Sequence, residues 1–207
     1  SKIPLDASGA IRLNLCPSAR PGQSYVDDVP VTAPDLFSGS NGVVHGTPAV
    51  VVPPSSLLGG LIDANPNLTY LKAAIARADS GVATGSTLDA ATRNGLASLT
   101  VFAPTDAAFK SALTAVVYTV LVRQGATPGL ATQTQAANTV NALGTSIFTN
   151  PAFFGSLSAQ TVKGIVVYHI LGFRAYASNM SPTLTNLPTL LNSALPTHEG
   201  VKVQSTF

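Results

Sequence analysis

Three histidines, His45, His169 and His198, are the side chains best suited to exchange a proton near neutral pH. They lie far apart in the chain, so a hydrolase would need the fold to gather one of them with a nucleophile and an orienting acid. No Gly-x-Ser-x-Gly elbow marks such a nucleophile. Metal chemistry has as little to draw on, with no His-Glu-x-x-His, no paired cysteines and no Asp-rich calcium loop. Asp27-Asp28 reads as a solvated strand edge that deters wrong pairing rather than a ligand set. Gly59-Gly60 reads as a hinge between short apolar segments and lacks the Lys and Ser/Thr of a phosphate loop. The expectation is a non-enzymatic protein with no catalytic residue, no metal and no cofactor.

Composition narrows the partners. Only 10% of the 207 residues are charged, the net charge is +2, and Lys and Arg stand singly without aromatic interleaving. Soluble proteins carry about 25% charged residues, so a nucleic-acid partner is not expected. A surface rich in Ala, Thr, Ser, Gly and Pro points instead to an exported protein or an assembly subunit. No apolar run reaches the roughly 18 to 20 residues of a membrane span. Residues 1 to 10 lack the pattern of a signal peptide, so export would require a leader removed upstream of Ser1. Cys16 is the one cysteine, read as a half-buried strand thiol, and the fold is expected to stand on packing alone.

The elements follow from periodicity. Ile11, Leu13 and Leu15 alternate with polar residues as a strand, residues 17 to 22 form a turn, and Tyr25 to Val31 form a second strand. Asn41-Gly42 predicts a tight turn at positive φ, followed by a strand over residues 43 to 52 with an edge or bulge at Pro48. Leu57, Leu58, Leu61 and Ile62 form a short amphipathic piece. Asn65-Pro66 then opens a helix striped by Leu68, Leu71, Ile75 and Ala78. Leu99, Val101 and Ala103 alternate in a strand that Pro104 stops. Thr105 or Asp106 caps the next helix, whose Phe109, Leu113, Val116 or Val117 and Val120 share one face. The uncharged stretch of residues 124 to 150 reads as an insertion, helical over residues 136 to 143, and Phe153 and Phe154 read as core anchors. Ser158 caps a last helix that carries Val162, Ile165, Val166 and His169 on one face. His169 has two readings, a core histidine satisfied by a hydrogen bond and a binding residue.

The run Thr100, Val101, Phe102, Ala103, Pro104, Thr105, Asp106 and, three residues on, Phe109 closely resembles the signature of the fasciclin-like domain. Asn41, Gly42, Val43, Val44 and His45 resemble the element that closes such a domain, with a departure at Gly46-Thr47-Pro48. Residues 167 to 171, Val-Tyr-His-Ile-Leu, resemble its tyrosine-histidine motif. The resemblance implies an α+β protein with a wedge-shaped β-sandwich flanked by small helices. It implies adhesion or scaffolding at a cell surface or in an extracellular matrix, through protein or glycan contacts. Tyr168, His169 and the Asn41 to His45 segment are the positions it links to interaction. The insertion looks like those of bacterial surface members, so Asn67-Leu68-Thr69 and Asn179-Met180-Ser181, which match the glycosylation pattern, are expected to be unmodified.

The order of segments implies two units: residues 1–55 as closing strands, and residues 56–207 as a domain lacking its last strands. The closing strands belong either to a preceding tandem domain, or to the same fold by permutation, or to a neighbouring copy. In the last case the contact is head-to-tail and propagates, giving the rival reading, a structural subunit of an extracellular fibre assembled by strand exchange.

Overall fold

A computed structural model describes residues 17–20, 22–27, 29–52, 55–177 and 180–205, the first four by their backbone. The strand expected at Ile11, Leu13 and Leu15, Cys16 and Asn179 lie outside the described residues. Strands β1 (Pro17–Arg20), β2 (Gln23–Val26) and β3 (Val29–Pro30) form an antiparallel meander. The expected turn over residues 17 to 22 is therefore mostly strand: Arg20 pairs with Gln23, and Gly22 stands at φ 82°. Strands β4 (Ala33–Gly39) and β5 (Gly42–Gly46) make a separate hairpin.

Six α-helices follow among the described residues: α1 (Leu58–Ala64), α2 (Thr69–Ala78), α3 (Leu88–Thr92), α4 (Asp106–Arg123), α5 (Leu130–Leu143) and α6 (Ala159–Tyr168). Strand β6 (Thr100–Val101) pairs with β7 (Ile170–Leu171), and β8 (Thr185–Leu187) with β9 (Val201–Val203). The described sheets have two or three strands each, and no β-sandwich forms among them. The class is α+β, but the wedge-shaped sandwich is overturned because the large core is made by helices. Helix α2 packs on α6, and α4 on α5.

That core follows the apolar stripes. Leu68, Leu71, Ile75 and Ala78 of the second stripe, and Phe109, Leu113 and Val117 of α4, are all buried. Ala136 and Val140 bring α5 onto them, while Val162 and Val166 bring α6. At the centre the ring of Phe109 stacks on Tyr70 at 6.2 Å between centroids and meets Phe148 edge-on at 6.1 Å. The buried cluster draws its members from residues 62 to 170.

Several local expectations shift for identifiable reasons. Gly59 and Gly60 are helical, not a hinge, and Gly59 lets α1 lie close to the end of α3, since a Cβ there would stand 2.7 Å from Arg93 Cγ. Asn65 turns the chain by accepting the Asn67 amide at 2.9 Å, and α2 starts only at Thr69. Phe154 is exposed, with the Arg77 guanidinium 4.4 Å above its ring, while Phe153 is buried. Phe102 is half-buried and outside the core cluster.

Asp106 gives the helices their mutual position. Thr105 is the N-cap of α4, accepting the Ala108 amide at 3.4 Å, which frees the Asp106 carboxylate for the start of α2. It accepts the Tyr70 amide at 2.9 Å and the Thr69 hydroxyl at 2.7 Å, while its own amide donates to the Asn67 carbonyl at 2.8 Å. Helix α2 has no side-chain cap of its own. Asp106→Ala should thus cost about 1.5 to 3 kcal/mol, the range of hydrogen bonds to a charged group. In the same urea-unfolding series, Phe109→Ala should cost about 3 to 5 kcal/mol. Phe102→Ala should cost clearly less, and equal losses at the two phenylalanines would contradict this assignment of the core.

Candidate functional site

Two groups of side chains expected to take part in interaction occupy different elements. The first gathers at the end of α6. Ser158 starts that helix by accepting the Thr161 amide at 3.1 Å, and the helix ends at Tyr168 with His169 as its C-cap. The His169 carbonyl accepts the Phe102 amide at 2.9 Å, extending the β6–β7 pairing by one bond. Its imidazole Nδ1 lies 2.8 Å from the Ile165 carbonyl, which can only accept, so Nδ1 carries the proton and Nε2 of the neutral ring is left as an acceptor. The stripe that placed Ile165 and His169 in the core is only half right: Val162 and Val166 are buried, Ile165 is exposed and His169 half-buried.

Tyr168 sits between two imidazoles. Its ring meets His169 edge-on at 5.7 Å and His198 at 5.4 Å, and its hydroxyl is 3.4 Å from the Gly200 carbonyl. His198, in the loop between β8 and β9, accepts the Gly200 amide on Nδ1 at 3.0 Å, which places the proton of the neutral ring on Nε2. The pair therefore offers one acceptor, on His169, and one donor, on His198, beside an aromatic face. Sequence spacing did not mark His198 as a partner of Tyr168. The signal available was Gly200, whose φ of 80° turns the loop back. A Cβ there would collide with the Leu187 carbonyl. Asn192 completes the loop by donating to the His198 carbonyl at 2.6 Å and accepting the Thr189 amide at 2.8 Å.

The signature residues hold this end in place. Thr100 donates its hydroxyl to the Phe173 carbonyl at 2.9 Å and accepts the Ala175 amide at 2.8 Å, which pins the chain after β7. Val101 pairs with Ile170 and packs against the core, Ala103 and Pro104 lead out of the strand, and Thr105 and Asp106 make the two caps described above.

The second group, Asn41, Gly42, Val43, Val44 and His45, lies on the β4–β5 hairpin. Ser40 and Asn41 form its turn, and neither Asn41 nor Gly42 has the positive φ expected of that dipeptide. Phe37 pairs with Val44 and Ser38 with Val43, with a register shift toward Ala33 where Asp35 takes φ 51°. Strand β5 stops at Gly46, where a Cβ would stand 2.9 Å from that of Ala33, so the expected strand over residues 43 to 52 is shorter. His45 Nδ1 accepts the Asp35 amide at 3.0 Å; in the neutral ring that nitrogen has no proton left for the Asp35 carboxylate 3.6 Å away. Leu36, Phe37, Val43 and Val44 are 50%, 66%, 51% and 54% exposed.

No hydrogen bond, ion pair or ring contact joins the two groups among the described residues. Nor do three or more His, Cys, Asp or Glu side chains gather into a metal-binding set among them. No described helix is long and apolar enough to cross a membrane. No protein-family model matches this chain, and no curated protein matches it.

Gly200→Ala should unfold the β8–β9 loop locally and separate His198 from Tyr168. A two-dimensional NMR spectrum would show this as shifted His198 and Tyr168 ring signals with the core methyls unmoved. Tyr168→Phe removes only a long hydrogen bond, and should change stability by less than about 1 kcal/mol.

Proposed function

We propose that this protein is a non-enzymatic adhesion or scaffold module working at a cell surface or in an extracellular matrix, with the β4–β5 hairpin as its principal contact surface. The observation that carries the reading is the exposure of Leu36, Phe37, Val43 and Val44 on a two-stranded ribbon. Adjacent residues of a strand point to opposite faces, so both faces of the ribbon are apolar. Such a ribbon is marginal by itself, and contiguous exposed apolar surface on a protein this poor in charge marks a place where another molecule packs. The resemblance of residues 41 to 45, 99 to 109 and 167 to 171 to fasciclin-like domains supports the same class of function. Tyr168, His169 and His198 form a secondary contact suited to a hydroxyl-rich partner such as a glycan, offering one donor and one acceptor beside a ring.

A fibre subunit is the second reading, favoured by the outer edges of the two-stranded β8–β9 sheet, which pair with no further strand among the described residues.

The test is binding of the full chain to immobilised matrix proteins and to a glycan array, beside the double variant Phe37→Ser, Val44→Ser. Saturable binding that the variant weakens at least about tenfold, with unchanged melting, is the expected result, equivalent to about 1.4 kcal/mol. Undiminished binding by a folded variant would remove the hairpin from the function.

A further inference from the structure

We infer that the partner of the β4–β5 hairpin is a second copy of this chain, which receives it in the cleft beside the β8–β9 sheet. This rests on the hairpin being the contact surface, and it adds the identity of the occupant and its seat. The cleft has a volume of about 360 Å³ and is walled by Phe173, Ala175, Met180, Leu187 and Val203, with Arg174 on its lining.

Three observations favour this pairing. The first is shape and polarity. The hairpin presents Phe37 with its partner Val44 on one face and Val43 on the other, and Leu36 is exposed in the register shift beside them, so it must be clasped rather than covered from one side. A cleft with apolar walls does that. The second is backbone pairing. Strands β8 and β9 bond only to each other among the described residues, leaving each an edge open to an added strand. The regular part of the hairpin, residues 37–39 of β4 and 42–44 of β5, matches the length of those three-residue edges.

The third is charge. Arg174 is half-buried and makes no hydrogen bond or ion pair with any described residue. On the hairpin the Asp35 side chain is 78% exposed, and the imidazole beside it is already bonded to a backbone amide. A guanidinium in the cleft with no partner among the described residues and an exposed carboxylate on the hairpin complement each other, and pairing them fixes the direction of entry. In a heterologous contact of this kind the copy that gives its hairpin keeps a free cleft, and the copy that receives it keeps a free hairpin. Copies therefore add head to tail.

The experiment uses two full chains, each with Cys16→Ser to remove the single native thiol. One carries Phe37→Cys and the other Leu187→Cys. Under mild oxidation the mixture should yield a disulfide-linked heterodimer in large excess over either chain's homodimer. Sedimentation of the wild-type chain should show mass rising with concentration. Arg174→Glu should raise the concentration needed for association at least about tenfold through like-charge repulsion against Asp35. Absence of the mixed cross-link, together with a monomer at every concentration, overturns the inference. If the chain stays monomeric but Phe37→Ser, Val44→Ser still abolishes binding to a matrix protein or glycan, the contact surface stands and only its homotypic partner falls. If decanoate binds the wild-type cleft, is lost with Arg174→Gln, and no self-association is seen, the cleft belongs to a small carboxylate and the inference is likewise overturned.

Discussion

The helical body depends on one carboxylate shared between two helix starts. Asp106 occupies the first turn of α4, where a negative charge faces the positive end of the helix dipole, and the same group bonds the Tyr70 amide and Thr69 hydroxyl at the start of α2. Two helix N-termini converge on it, so its hydrogen-bond geometry holds the starts of α2 and α4 together. Tyr70 and Phe109 then arrive close enough to stack, and Phe148, just after α5, closes the cluster. Burial also pushes the Tyr70 phenol above its ordinary range, with the Asp106 charge adding to the effect.

The same device recurs at α3. The Asp79 carboxylate, just past the end of α2, accepts the Leu88 and Asp89 amides at 2.7 and 3.0 Å, while Thr87 caps Ala90 from within. Asp63 of α1 meets Lys72 of α2 at 2.8 Å and Arg93 at 2.6 Å, and Arg93 reaches back to Asp89 at 2.9 Å. Hydrogen bonds from Lys72 and Arg93 hold the Asp63 carboxyl below the usual carboxylate range. Its contribution is thus present above the ordinary carboxylate pKa and lost as pH falls through the lowered one. In a chain with nine acidic residues, most of those on helices tie one element to the next rather than decorating a solvated face. That use of charge lets the surface be poor in ionic groups without leaving the helices uncoupled.

What was legible in the sequence was local. The apolar stripe from Leu68 to Ala78, the face of Phe109, Leu113 and Val117, and the Ser158 cap depend on neighbours within a turn or two, and the helices form where those patterns place them. The Thr105 cap belongs to the same class. The second role of Asp106 was invisible because its partners stand 36 and 37 residues away, and an N-cap candidate one position off the cap gives no sign of serving another helix. The β-sandwich was implied by the resemblance alone, whose short motifs do not fix how many strands pair, and the described sheets stop at two or three. Tyr168 and His169 were marked by a local motif. His198 joined them only through a loop whose geometry hangs on Gly200.

The contrast between the two parts of the chain bears most on function. In the helical body a stripe residue such as Leu71, Val117 or Val166 is almost wholly covered, and in Leu157 even a residue outside the helices is sealed in. On the β4–β5 hairpin, side chains of the same chemistry stand half or more in water. Burial of one such side chain stabilises by about 1.5 to 3 kcal/mol, so four left exposed together on one ribbon are a sizeable unused driving force. Pro34 and Asp35 blunt the irregular start of β4, while the stretch from Leu36 to Val44 beyond them carries no charge, so the turn end of the ribbon is the part left apolar and open to packing.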